Sequence, residues 1–178
     1  MIDYWVLSAP IAAAIALMWG VYKARYTVSL DAGDDKMKEI AKRIQEGAMA
    51  FLMREYRVLA VFVLIVSVLL GVMYSSGEHR SWLIAVAFVA GASCSALAGL
   101  AGMTVATRAN VRTTAAARKG LGPALDVAFS GGTVMGMAVV GLGLLGLSLT
   151  YIGFITAFDG NTLGGMSTTL NAIAGFLP

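Results

Sequence analysis

Four apolar runs, at about residues 2–22, 58–74, 82–106 and 127–155, contain no Asp, Glu, Lys or Arg apart from Asp3. A helix rises roughly 1.5 Å per residue, so about 20 apolar residues cross a hydrocarbon core of roughly 30 Å. Each run is long enough to span, or nearly so. The chain has 178 residues, 58% hydrophobic and 13% charged. A soluble domain carries about 25% charged residues. Too few polar groups exist to cover such a chain in water, so lipid is the expected solvent. In lipid every backbone N–H and C=O must be satisfied within the chain, which leaves helices as the spanning element. The expected fold is all-α: a polytopic transmembrane helix bundle of four spans plus the start of a fifth, forming one membrane domain over residues 1–178.

The first run is followed, not preceded, by cations, Lys23 and Arg25, and its first charge is Asp3. A cleaved signal peptide wants the opposite order and a shorter apolar core. The run therefore reads as a retained span. Segment 23–57 is the most charged, with eight Lys/Arg and six Asp/Glu. Within it Met37, Ile40, Ala41, Ile44, Ala48, Phe51 and Leu52 recur at three- and four-residue spacings, one face of an amphipathic helix. Glu39 is placed to pair with Arg43, and Lys42 with Glu46, one turn apart. Asp34 or Asp35 suits the N-cap. No breaker separates this helix, 35–57, from the run at 58–74. One helix of roughly 60 Å is expected, half of it clear of the bilayer.

Gly91, Ser95 and Gly99 recur every four residues in the third run, as do Ala98 and Gly102, a face for close helix contact. The stretch RANVRTTAAARKGLG follows, Arg108 to Gly122. It reads as helix through about Lys119, with Gly120 as C-terminal cap and Pro123 in the first turn of the next helix. The fourth run and its flanks hold seven glycines from Gly131 to Gly153, read as marks of tight packing. From Leu170 the tail turns apolar and looks like a fifth span beginning.

Segments 23–57 and 107–123 hold twelve of the thirteen Lys/Arg, against Arg80 alone elsewhere. The positive-inside rule makes both segments cytoplasmic and places the N-terminus, the 75–81 loop and the tail outside. The expected location is a bacterial or archaeal plasma membrane.

The chemistry-bearing residues are sparse. The cations of RANVRTTAAARKGLG, Arg108, Arg112, Arg118 and Lys119, have only Asn110 as a base-reading neighbour, which argues against nucleic acid. The order of residues is wrong for a phosphate-binding Gly-Lys-Ser/Thr loop. A loop that fixes orientation and touches lipid head groups is the simpler reading. His79 has no second histidine, and Cys94 is distant, so neither suggests a metal. Asp126, near the start of the fourth helix, reads as a dipole partner. Ser130 and Thr133 could line a polar cleft, with packing the simpler reading, and Glu46 reads as a solvated or inter-helix charge. No catalytic, cofactor-binding or metal-ligating residue is assigned. The spans lack the buried carboxylates that an ion path normally needs.

Three stretches together resemble the membrane-integral pyrophosphatases. KMKEIAKRIQEGAMAFLMREY, 36–56, is similar to the start of their second helix. RANVRTTAAARKGLGPAL, 108–125, resembles the loop joining their third and fourth helices, and VAFSGGTVMGMAVVGLGLLGL, 127–147, their glycine-rich fourth helix. The resemblance covers nearly the whole chain and departs at Ser130, where the family often carries a basic residue before the two glycines. It implies a homodimeric hydrolase, an inorganic diphosphatase that uses Mg2+ and couples pyrophosphate hydrolysis to pumping H+ or Na+. It also implies that the first four helices form an outer ring. The aspartate-rich substrate motifs of the family follow the fourth helix, so no catalytic residue carries over. The chain is expected to be inactive alone. The alternatives are a non-enzymatic membrane scaffold and a small transporter built by oligomerisation.

Overall fold

The structure, a computed structural model, describes residues 4–73, 82–157, 169–170 and 173–176. Among them are four long helices and no strand: α1 (Tyr4–Ser29), α2 (Asp35–Met73), α3 (Trp82–Ala117) and α4 (Leu121–Ala157). All four are long and apolar enough to cross a membrane. The all-α reading holds. The chain is a multi-pass integral membrane protein, and many of its large apolar side chains are exposed. Leu64 and Val72 of α2, for example, are 66% and 67% exposed.

The single helix expected across 35–74 is present as α2, 39 residues without a break. The Asp34 carboxylate caps it, accepting the Met37 N–H at 2.9 Å. Arg43 donates to Glu39 at 2.7 Å, and Lys42 reaches Glu46 at 4.0 Å. Both pairs are exposed and contribute little each. The first helix extends beyond the expected span at residue 22 and ends at Ser29.

The chain forms two compact units. The first gathers Met1–Ala14, Arg57–Ala96 and Leu142–Pro178. Its packing centres on Phe176, 5% exposed. The Phe176 ring lies where a Cβ on Gly146 would sit, beside the Cys94 Sγ, and its carbonyl lies against Gly91. Part of the Gly91 stripe therefore receives a tail residue. Of the expected fifth span, only Leu170 and 173–176 fall within the described residues.

The second unit gathers Ile15–Tyr56 and Leu97–Gly141. Its core is built from small residues: Ala41, Ala98, Ala109, Ala115, Ala124 and Ala138 are each at most 8% exposed. Small side chains let backbones approach where lipid supplies no hydrophobic drive between helices. Gly131 is one such approach, since a Cβ there would stand 2.8 Å from the Ala109 Cβ. Gly132 and Gly136 have nothing within 4 Å, so among the described residues the glycines of α4 are only partly used for packing. Several hydroxyls in the apolar helices bond back one turn, as Thr107 does to the Met103 carbonyl at 2.9 Å, whereas the buried Thr27 Oγ1 has no partner among the described residues.

Candidate functional site

Eleven of the thirteen Lys/Arg lie in the second unit, and its charged end is where chemistry collects. Helix α1 ends at Ser29, leaving carbonyls without helical partners, as every helix C-terminus does. Arg112 of α3 takes two of them. Its Nε donates to the Val28 carbonyl at 3.1 Å and to the Leu30 carbonyl at 3.0 Å, and its Nη2 donates to Val28 at 2.6 Å. Its Nη1 returns to the Arg108 carbonyl at 2.7 Å. Arg112 thus caps α1 from another helix, a task suited to the flat guanidinium fork. The chain then turns through Gly33, whose φ of 81° disfavours any side chain.

Six residues after Arg112, Arg118 Nη2 donates to the Asp34 carboxylate at 2.7 Å. One carboxylate therefore caps α2 and anchors the end of α3. Gly120, at φ 132°, closes α3, as expected. Two of the four cations, Arg112 and Arg118, also serve the fold itself. Arg112 bonds the carbonyls at the end of α1, and Arg118 pairs with the Asp34 carboxylate.

The Arg118 hydrogen bond, followed by that from the Met37 N–H, holds the Asp34 carboxyl below its ordinary value of 3.8. A depressed carboxylate stabilises the fold above its unfolded-state pKa, and this is lost as pH falls through the lower folded value. The thermal midpoint of Asp34→Asn should therefore lie below that of the unmodified protein at pH 7. The gap should close below about pH 3.8. A gap that persists unchanged to pH 2 would contradict the ion pair.

Beside this junction runs a cleft. One lobe, about 220 Å³, is lined by Tyr26, Leu30, Asp31, Arg112, Lys119 and Asp126 among others. The second, about 410 Å³, is lined by Tyr22, Lys23, Tyr26, Asp126, Phe129, Ser130 and Thr133. Asp126 needs a correction. Helix α4 begins at Leu121, so this residue lies beyond the first turn, where the dipole effect fades. It lines both lobes instead. Ser130 and Thr133 line the cleft, the alternative to the packing role, and Thr133 bonds back to the Phe129 carbonyl at 2.8 Å. Glu46 is a solvated charge, as expected. His79 lies outside the described residues. The sequence reading passed over Lys23 and its neighbours Trp19, Tyr22 and Tyr26. The signal was there in an aromatic spacing of three and four residues around the first cation after an apolar run.

The described residues hold no group of three or more His, Cys, Asp or Glu side chains placed to bind a metal ion.

The profile of the family described as inorganic H+ pyrophosphatase matches residues 14–176. The chain belongs to this family. A K(+)-insensitive pyrophosphate-energized proton pump of Methanosarcina mazei is 46% identical over 147 residues, 83% of this chain and 21% of that protein. The K(+)-insensitive pyrophosphate-energized proton pump 2 of Moorella thermoacetica is 45% identical over 145 residues, 82% of this chain and 20% of that protein. A K(+)-stimulated pyrophosphate-energized sodium pump of Thermotoga maritima is also 45% identical, over 124 residues, 68% of this chain and 16% of that protein. Proton and sodium pumps of the family thus match at similar identity. The chain spans about a fifth of the length of its first two relatives.

Proposed function

We propose that this chain is the N-terminal, non-catalytic part of a membrane pyrophosphatase that couples pyrophosphate hydrolysis to H+ or Na+ transport. The observation carrying this reading is the family match over residues 14–176 in a chain about a fifth the length of its relatives. Its role is to frame the helices that do the chemistry. Pyrophosphate carries several negative charges, which a carboxylate-held Mg2+ would neutralise before water attacks. The acids described here do not fit that ion: Asp34 is held by Arg118, and no three His, Cys, Asp or Glu side chains among the described residues are placed around one point. In this reading the Mg2+ ligands, the catalytic groups and the ion path belong to parts of the protein outside this chain.

In this reading helix 35–57 and segment 107–123 face the cytoplasm, while the N-terminus and tail lie outside. Membrane lipid surrounds the four spans, and the working assembly is a homodimer. The clustering of cations in the second unit supports this layout.

Phosphate release tests the assignment. Membranes holding the 178-residue chain alone should release none from pyrophosphate above a no-protein control. Membranes holding the protein at the length its gene encodes should release it in a Mg2+-dependent manner. Turnover by the 178-residue chain would overturn the non-catalytic role.

A further inference from the structure

The larger lobe of the cleft gathers opposite charges without pairing them. Lys23 and Asp126 both line it, and neither forms an ion pair with a described residue. The Lys23 ammonium lies instead over two rings, 5.8 Å from the Trp19 centroid and 5.5 Å from the Tyr26 centroid. Ser130 is only 8% exposed, lines the same lobe, and has no hydrogen-bond partner for its hydroxyl among the described residues. The Ser130 oxygen is open to the lobe and so available to a ligand. The lobe holds about 410 Å³, far more than one ion occupies and within the range of small-molecule sites.

The surroundings say what kind of ligand fits. Trp19, Tyr22 and Tyr26 are 49%, 59% and 46% exposed along α1, with the Trp19 and Tyr22 rings 5.5 Å apart. Exposed Trp and Tyr collect where a membrane surface is apolar on one side and wet on the other. Met18 and Phe129, 65% and 70% exposed, extend the apolar surface beside them. A ligand here meets one ammonium, one carboxylate, free hydroxyls and a greasy margin.

We propose that this lobe binds the headgroup of an aminophospholipid, with a phosphate and a primary amine joined by a short linker, as in phosphatidylethanolamine. The phosphate sits against the Lys23 ammonium and the Ser130 hydroxyl. The amine donates to the Asp126 carboxylate, and the acyl chains continue over Met18 and Phe129. An anionic headgroup with no amine leaves Asp126 facing like charge. A choline headgroup brings no N–H to the carboxylate, and the Trp19 and Tyr26 rings that would cradle it already hold Lys23. The inference goes beyond the pyrophosphatase reading and does not depend on it, because lipid binding is read without turnover.

The test uses the protein at the length its gene encodes, in nanodiscs with equal phosphatidylethanolamine and phosphatidylglycerol. Lipids retained after partial delipidation are counted by native mass spectrometry. Ethanolamine lipid should be retained about tenfold over glycerol lipid, the worth of one charge-assisted hydrogen bond. Asp126→Asn should abolish that preference, and Lys23→Gln should weaken retention of both lipids. Equal retention of the two lipids by the unmodified protein overturns the proposal without any variant having to fold. So does an unchanged preference in an Asp126→Asn protein of normal helicity. Soluble O-phosphoethanolamine carries the same charges without chains. If it displaces the ethanolamine lipid at equal concentration, the site serves a soluble ligand and the lipid assignment fails.

Discussion

Replacing Arg112 with alanine should destabilise the protein by about 2–3 kcal/mol, the scale of hydrogen bonds to a charged donor whose acceptors are left behind. The guanidinium serves the Val28 and Leu30 carbonyls together, and these lie at the end of a helix whose own partners have run out. Water can reach the site only partly, since Val28, Leu30 and Arg112 are all half-buried. Lysine at the same position supplies charge but not a planar fork, so Arg112→Lys should recover a fraction of the loss. Thermal unfolding in detergent reads the loss, and hydrogen exchange across residues 28–34 locates it. Full stability in Arg112→Ala, or a loss spread evenly over the chain, would show that the cap is not what holds this turn.

Gly131→Leu should cost at least as much, about 3 kcal/mol, the upper part of the range for overpacking a well-filled contact. Its first added atom alone meets the Ala109 Cβ at 2.8 Å. That neighbour is fixed to a helix backbone and cannot swing aside, so α3 and α4 must separate locally within the second unit. The next residue is the control. Gly132 has open space for a Cβ, and Gly132→Ala should be neutral or stabilising by up to about 1 kcal/mol. Two adjacent glycines should thus respond with opposite sign in the same unfolding assay. Equal responses would remove the packing argument for Gly131.

The residues explain why some of this was legible in the sequence and some was not. Spans, caps and one-turn pairs depend on neighbours within about four positions. Asp34, the Glu39–Arg43 pair and Gly120 accordingly sit where local spacing places them. Arg112 and Arg118 were legible as cations and not as clamps. Their partners lie 82 to 84 positions away, and no periodicity connects α3 to the turn after α1. Asp126 was misplaced because a Pro123 start and a Leu121 start put it in different turns of α4. The cleft itself arises only when the Lys23 face of α1 and the Ser130 face of α4 come together.

The most direct test of the account is sidedness in sealed vesicles. Lys42→Cys and Lys119→Cys, each in a Cys94→Ala background, probe the two basic segments at exposed positions outside the Arg112 and Arg118 contacts. An impermeant thiol reagent should modify both cysteines from one face of the membrane and neither from the other. Modification of the two from opposite faces would contradict a chain that threads the bilayer with its cations on a single side.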